Sequence, residues 1–148
     1  MSRPTTRRRD IDRTAVRAEV AAAERRTSAE IVVSIGAFFL GDVGAAAERV
    51  FRRLGIARLR RRNGVLVFVV PARHRVVILP DEEAAARIDP AIYEECAALI
   101  ADASARGFGT QGIIAAVQLL ADVLAVAFPY TGARADELPD LTEEGARL

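Results

Sequence analysis

The apolar and polar positions divide the chain into seven elements in the order α-β-α-β-β-α-α. The central stretch, Asn63 to Asp81, reads NGVLVFVVPARHRVVILPD. Val65 to Val70 is an unbroken apolar run rich in β-branched residues, and Val76 to Leu79 is a second. Short apolar runs bounded by turn residues predict buried strands. Pro71, Ala72, Arg73 and His74 form the tight connection between them. Upstream, Glu30 to Ile35 (EIVVSI) predicts another strand, which Gly36 ends or bends. The expected strands cover about residues 30–36, 63–70 and 74–80.

The remaining periodicity is helical. Asp10 is a suitable N-cap for a helix ending near Arg26, with Ile11, Ala15, Ala18 and Ala22 on one face and Val16 and Val20 widening it. Thr27-Ser28 breaks that pattern, and residues 37–42 form a loop with exposed Phe38, Phe39 and Leu40. Asp42 caps a helix from Val43 to Leu54, whose stripe is Val43, Ala46, Ala47, Val50, Phe51 and Leu54. Gly55 is its expected stop, followed by the basic connector Ile56 to Arg62. Asp81, Glu82 and Glu83 lead a short turn through Arg87. Asp89-Pro90 starts a helix that buries Ile92, Cys96, Leu99, Ile100 and Ala103. Thr110 opens the last helix, with Ile113, Val117, Leu120, Leu124 and Phe128 inward and Pro129 at its end.

This order predicts a three-layer α/β/α sandwich with a small mixed sheet. The first two strands flank a helix and should run parallel by a right-handed crossover. The third returns from a tight turn and should be antiparallel to the second. Strands without polar alternation need helices on both faces of the sheet. The topology brings Glu30, Arg62, Asn63, Asp81 and Glu82 to one end of the sheet. It sends Gly36, Asp42, Arg73 and His74 to the other.

Composition narrows the function. With 148 residues, 51% hydrophobic and 28% charged, the chain makes one domain, expected over residues 10–129. A basic arm (1–9) precedes it and an extended acidic tail (130–148) follows. The net charge of +1 argues against a nucleic-acid binder, despite Arg7–Arg9 and the basic connector. All 21 basic residues are arginine. The single cysteine, Cys96, excludes an intrachain disulfide and falls on an apolar helix face. The one histidine, His74, lies in a turn beside two arginines, where solvent is its expected partner. The N-terminus shows no apolar run of a signal peptide. The apolar stretch Gly112 to Phe128, interrupted by Gln118 and Asp122, falls short of the roughly 20 residues of a membrane span. A cytoplasmic location is the expectation.

The acidic end of the sheet carries the candidate chemistry. Glu30, Asp81 and Glu82 supply oxygen ligands suited to a hard cation, Ca²⁺ or Mg²⁺. Arg61, Arg62 and Asn63 are candidate anion or loop contacts. The competing reading is structural: Arg60, Arg61 and Arg62 pair with these acids, and acids at a helix start complement its dipole. No phosphate-binding glycine loop, dinucleotide fingerprint or zinc spacing is present. No catalytic set is located.

Taken in order, ERRTSAEIVVSI, RVFRRLGI, NGVLVFVV, RHRVVILPD and FPY followed by ADELPD resemble the TPM domain family, in its short single-domain bacterial branch. The resemblance covers roughly residues 12–140. It implies the same three-layer fold. It also implies either a protein-binding or scaffolding module, acting on a protein partner or in a membrane-associated complex, or a weak divalent-metal-dependent phosphatase acting on phosphomonoesters. The first reading is preferred here. Pro80-Asp81-Glu82-Glu83-Ala84 stands where that branch has Gly-Asp-x-Gly-Ile, and Ala29 stands where it has glycine. Asp81 is kept, but the glycines that would let that loop curl are not. The Phe38–Leu40 loop and the ELPD tail are the expected partner contacts.

Overall fold

Strand β2 (Val65–Val70) is the middle of a three-stranded sheet, ordered β1-β2-β3 with β1 (Ile31–Ile35) and β3 (Arg75–Pro80). The first pair is parallel and the second antiparallel, as the element order requires. The computed structural model describes residues 10–58 and 60–132. The basic arm and the ELPD tail lie outside the described residues.

The helices are α1 (Arg13–Glu24), α2 (Val43–Arg53), α3 (Glu82–Arg87), α4 (Pro90–Ala105) and α5 (Gly109–Ala127). Helix α2 covers one face of the sheet, packing Val43, Ala47 and Val50 on Val32, Leu66, Phe68 and Val70. Helices α1, α4 and α5 cover the other, over Ile31, Val33, Val65, Val67 and Val69. Every residue of β1 and β2 is therefore buried. This is the physical reason their sequences are continuous apolar runs without alternation.

Several boundaries and faces differ from expectation. Asp12, not Asp10, caps α1: its Oδ1 accepts the Ala15 N–H at 3.0 Å. The helix ends at Glu24, and its buried stripe is Val16, Val20 and Ala23. The Ile11–Ala15–Ala18–Ala22 stripe lies about one residue step around the helix. Valines bury more apolar area than alanines, so they choose the face. Leu99 is exposed, and Tyr93 takes an inward position instead, donating its hydroxyl to the Ala84 carbonyl at 2.7 Å. Burying that aromatic satisfies its polar tip while tying α4 to α3. Helix α5 starts at Gly109, and the Thr110 hydroxyl accepts the Asp12 N–H at 3.0 Å. By length and composition α5 is apolar enough to cross a membrane. Here Ile113, Val117, Leu120 and Leu124 form the core against the sheet.

One buried polar group in the sheet has no partner among the described residues. Ser34 is fully buried in β1, and its Oγ makes no hydrogen bond. An unpaired buried hydroxyl loses its hydration without compensation. Ser34→Ala is therefore expected to raise stability by about 0.5–1 kcal/mol. The midpoint of urea unfolding reads this directly, and a lower midpoint would contradict it.

Candidate functional site

Register builds the site. Ile31 pairs with Val65, and Val65 pairs with Pro80. The residues before β1, before β2 and after β3 are therefore neighbours. The Glu30 carbonyl accepts the Val65 N–H at 2.9 Å, and the Gly64 carbonyl accepts the Asp81 N–H at 2.8 Å. All five residues expected at this end of the sheet are brought there.

Their roles differ. Arg62 adopts a left-handed backbone conformation, φ 51°. Non-glycine residues are uncommon there. Its carbonyl accepts the Glu83 N–H at 2.9 Å, which holds the turn. Its side chain then grips Asp81 with two parallel bonds, Nε to Oδ2 at 2.8 Å and Nη2 to Oδ1 at 3.2 Å. Asp81 stands at the N-cap position of α3 but makes no side-chain cap there. The hydrogen bond and charge of Asp81 raise the Arg62 pKa further above its ordinary value. Glu82 is exposed, with Oε2 3.7 Å from Arg62 Nη2. Asn63 is buried and donates from Nδ2 to the Ser28 carbonyl at 3.4 Å. Glu30 is also buried.

Beside this turn lies an open cleft of about 790 Å³. Arg60, Arg61 and Arg62 line it with Glu82, Glu83 and Arg87, and Ala127, Phe128, Pro129 and Thr131 form the wall. Arg87 is fixed: Nε donates to Glu83 Oε2 at 3.1 Å and Nη1 to the Ala127 carbonyl at 3.5 Å. Its guanidinium also stacks over Phe128, 5.1 Å from the ring centroid. Arg60 and Arg61 are exposed and have no ion-pair partner among the described residues. The cleft thus holds two guanidinium groups engaged by carboxylates and two facing solvent.

A divalent cation would need several oxygen ligands at this end. Among the described residues no three His, Cys, Asp or Glu side chains are grouped to hold one. Both oxygens of Asp81 already accept from Arg62. The donor set as folded fits an arginine better than a metal ion.

Sequence reasoning placed the acids and the basic connector but missed Arg87 and the wall from the end of α5. Neither carries a motif. The nearest signal was the Thr27 break, because Thr27 bridges to Pro129 and draws the end of α5 to this edge.

The other end of the sheet also forms as expected. Asp42 Oδ1 caps α2, accepting the Gly44 N–H at 2.8 Å and the Ala45 N–H at 3.4 Å. Arg73 Nη1 donates to the Gly41 carbonyl at 2.7 Å and stacks over Phe39 at 5.4 Å. Phe39 is therefore half-buried under a guanidinium, contrary to expectation, whereas Phe38 and Leu40 are exposed. Cys96 is buried in the core, and burial, with a smaller effect of Glu95, pushes its thiol up to about 11. It stays protonated at neutral pH and is no nucleophile.

Comparison with known proteins adds the lineage. Among solved structures, the NMR structure of BA42 protein from the psychrophilic bacterium Bizionia argentinensis is 27% identical, with a TM-score of 0.77. That match covers 86% of this chain and 88% of the other. No curated protein matches. The TPM domain family model matches residues 9–123, most of the chain and both ends of the sheet just described. The chain therefore belongs to the TPM domain family.

Proposed function

We propose that this TPM domain is a binding module that takes the carboxylates of an acidic protein segment in the arginine-lined cleft. One observation carries the reading: Arg60 and Arg61 stand exposed and, among the described residues, unpaired beside Arg62 and Arg87, which already hold carboxylates. Guanidinium groups match carboxylates in shape as well as charge. The cleft is open and wide, which suits a chain segment more than an enclosed small molecule. Among the described residues the cleft's lining also lacks serine-histidine or cysteine-histidine pairing of the kind nucleophilic catalysis uses.

The test is fluorescence anisotropy with a labelled glutamate-rich peptide and the full chain. Binding should fall steeply with salt, because the contacts are exposed charges. Arg60→Gln with Arg61→Gln should weaken it about tenfold by removing the two solvent-facing cations. Unchanged affinity in that double variant would overturn the proposal. Cation-stimulated hydrolysis of an aryl phosphate, lost on Asp81→Ala, would replace it with the phosphatase reading.

A further inference from the structure

We infer a second binding site at the opposite end of the sheet, shaped for a small organic anion with an apolar body. Open α/β sheets leave a crevice at the carboxyl ends of their parallel strands, because the chains leaving those strands diverge. In this protein the parallel strands end at Ile35 and Val70. From there one chain crosses toward α2 and the other turns back through Pro71–Arg73 into β3. The gap left on the α1 side is a cavity of about 540 Å³. It is a full strand length, roughly 16–20 Å, from the arginine cleft.

Its lining divides by chemistry. Ile35, Phe38 and Pro71 supply apolar wall, and Phe38 is half or more exposed there. Arg13 and His74 supply the polar groups that favour an anion, with Asp10 the only acid on the lining among the described residues. Arg13 Nη1 is closed off from solvent and has no hydrogen-bond partner among the described residues. Arg13 as a whole is half-buried on the cavity wall, and its guanidinium carries further N–H donors that can answer a ligand oxygen there. His74 is presented by a left-handed turn, φ 51°, whose N–H is fixed to the Pro71 carbonyl at 3.0 Å. Its side chain is exposed at the rim, free to close on a bound group. An apolar wall with a few convergent polar groups is the usual composition of a small-ligand site. The volume accommodates an aryl or short alkyl body with one carboxylate or phosphate head.

The probes are phenylacetate, phenyl phosphate and the neutral benzyl alcohol, titrated into the ¹⁵N-labelled full chain and followed by amide shifts. Both anions should move Gly36, Ala37 and His74, and benzyl alcohol should bind at least tenfold more weakly. A preference between the two anions would identify the head group. Arg13→Gln should weaken anion binding at least tenfold. His74→Gly, which keeps the turn geometry, should weaken it to a lesser degree. Arg60→Gln with Arg61→Gln should leave it unchanged, which separates this site from the cleft. Thermal unfolding of each variant confirms that the fold is intact. Shifts confined to the arginine cleft, equal binding of benzyl alcohol, or wild-type affinity in the folded Arg13→Gln protein would overturn the assignment.

Discussion

Gly112→Ala is expected to destabilise the protein by about 2 kcal/mol, although helix propensity alone favours alanine over glycine by about 1 kcal/mol. Gly112 lies near the start of α5, where that helix crosses α4. A methyl group there would fall 2.6 Å from Ala103 Cβ and 3.2 Å from both Ile100 Cα and the Leu99 carbonyl. Carbon atoms in contact sit at roughly 3.5–4 Å, so the two helices would have to separate. Two of the three obstacles are backbone, which no rotamer change relieves. Separation would lift Ile113, Val117 and Leu120 from the core they share with Ile100 and Cys96. Losing that packing outweighs the propensity gain. A drop in Tm of about 4–8 °C should accompany it in a domain of this size. Ala103→Gly added to Gly112→Ala should recover part of the loss, since it removes the nearest atom but leaves the backbone pair. A single variant as stable as the parent would show that the crossing yields without cost.

The fold was open to sequence reading where burial is complete. Val65–Val70 and Ile31–Ile35 lie inside three layers, so their composition has little freedom. Once those strands and the intervening helix were placed, the convergence of Glu30, Asn63 and Asp81 followed from connectivity, without any motif. Errors gathered where two local solutions differ little. Asp10 and Asp12 both precede the first helical pattern, and only the hydrogen bond to Ala15 selects Asp12. Ala18 and Val20 both fit an apolar stripe, and packing against α5 decides between them. The site was legible as a meeting of charges, with arginine–acid pairing as one of the two readings, but not in which arginine grips which acid. That pairing depends on Arg62 adopting a positive φ, which side-chain type does not announce. The Arg87 stack on Phe128 joins elements far apart in the chain, so no local window contains it.

The wall of the cleft depends on a single hydroxyl, and Thr27→Val is expected to cost about 2 kcal/mol. Thr27 is fully buried between α1 and β1. Its Oγ1 donates toward the Phe128 carbonyl at 2.5 Å and lies 3.0 Å from the Leu124 carbonyl. The same oxygen accepts the Ala29 N–H at 3.1 Å. One side chain thus links the last turn of α5 to the entry of β1, beside the backbone bond from the Ser28 N–H to the Phe128 carbonyl. Valine keeps the shape and the β-branch but offers neither donor nor acceptor, so packing alone would call the change neutral. Serine makes the opposite trade. It keeps the hydroxyl and loses one buried methyl, a cost of about 0.8 kcal/mol. Urea unfolding should therefore rank the proteins as parent, then Thr27→Ser, then Thr27→Val. Hydrogen exchange at Ser28 and Phe128 should accelerate in the valine variant more than exchange in β2, because the junction opens before the sheet does. The reverse order of stability would mean that the methyl group, rather than the hydroxyl, holds the end of α5 against the arginine cleft.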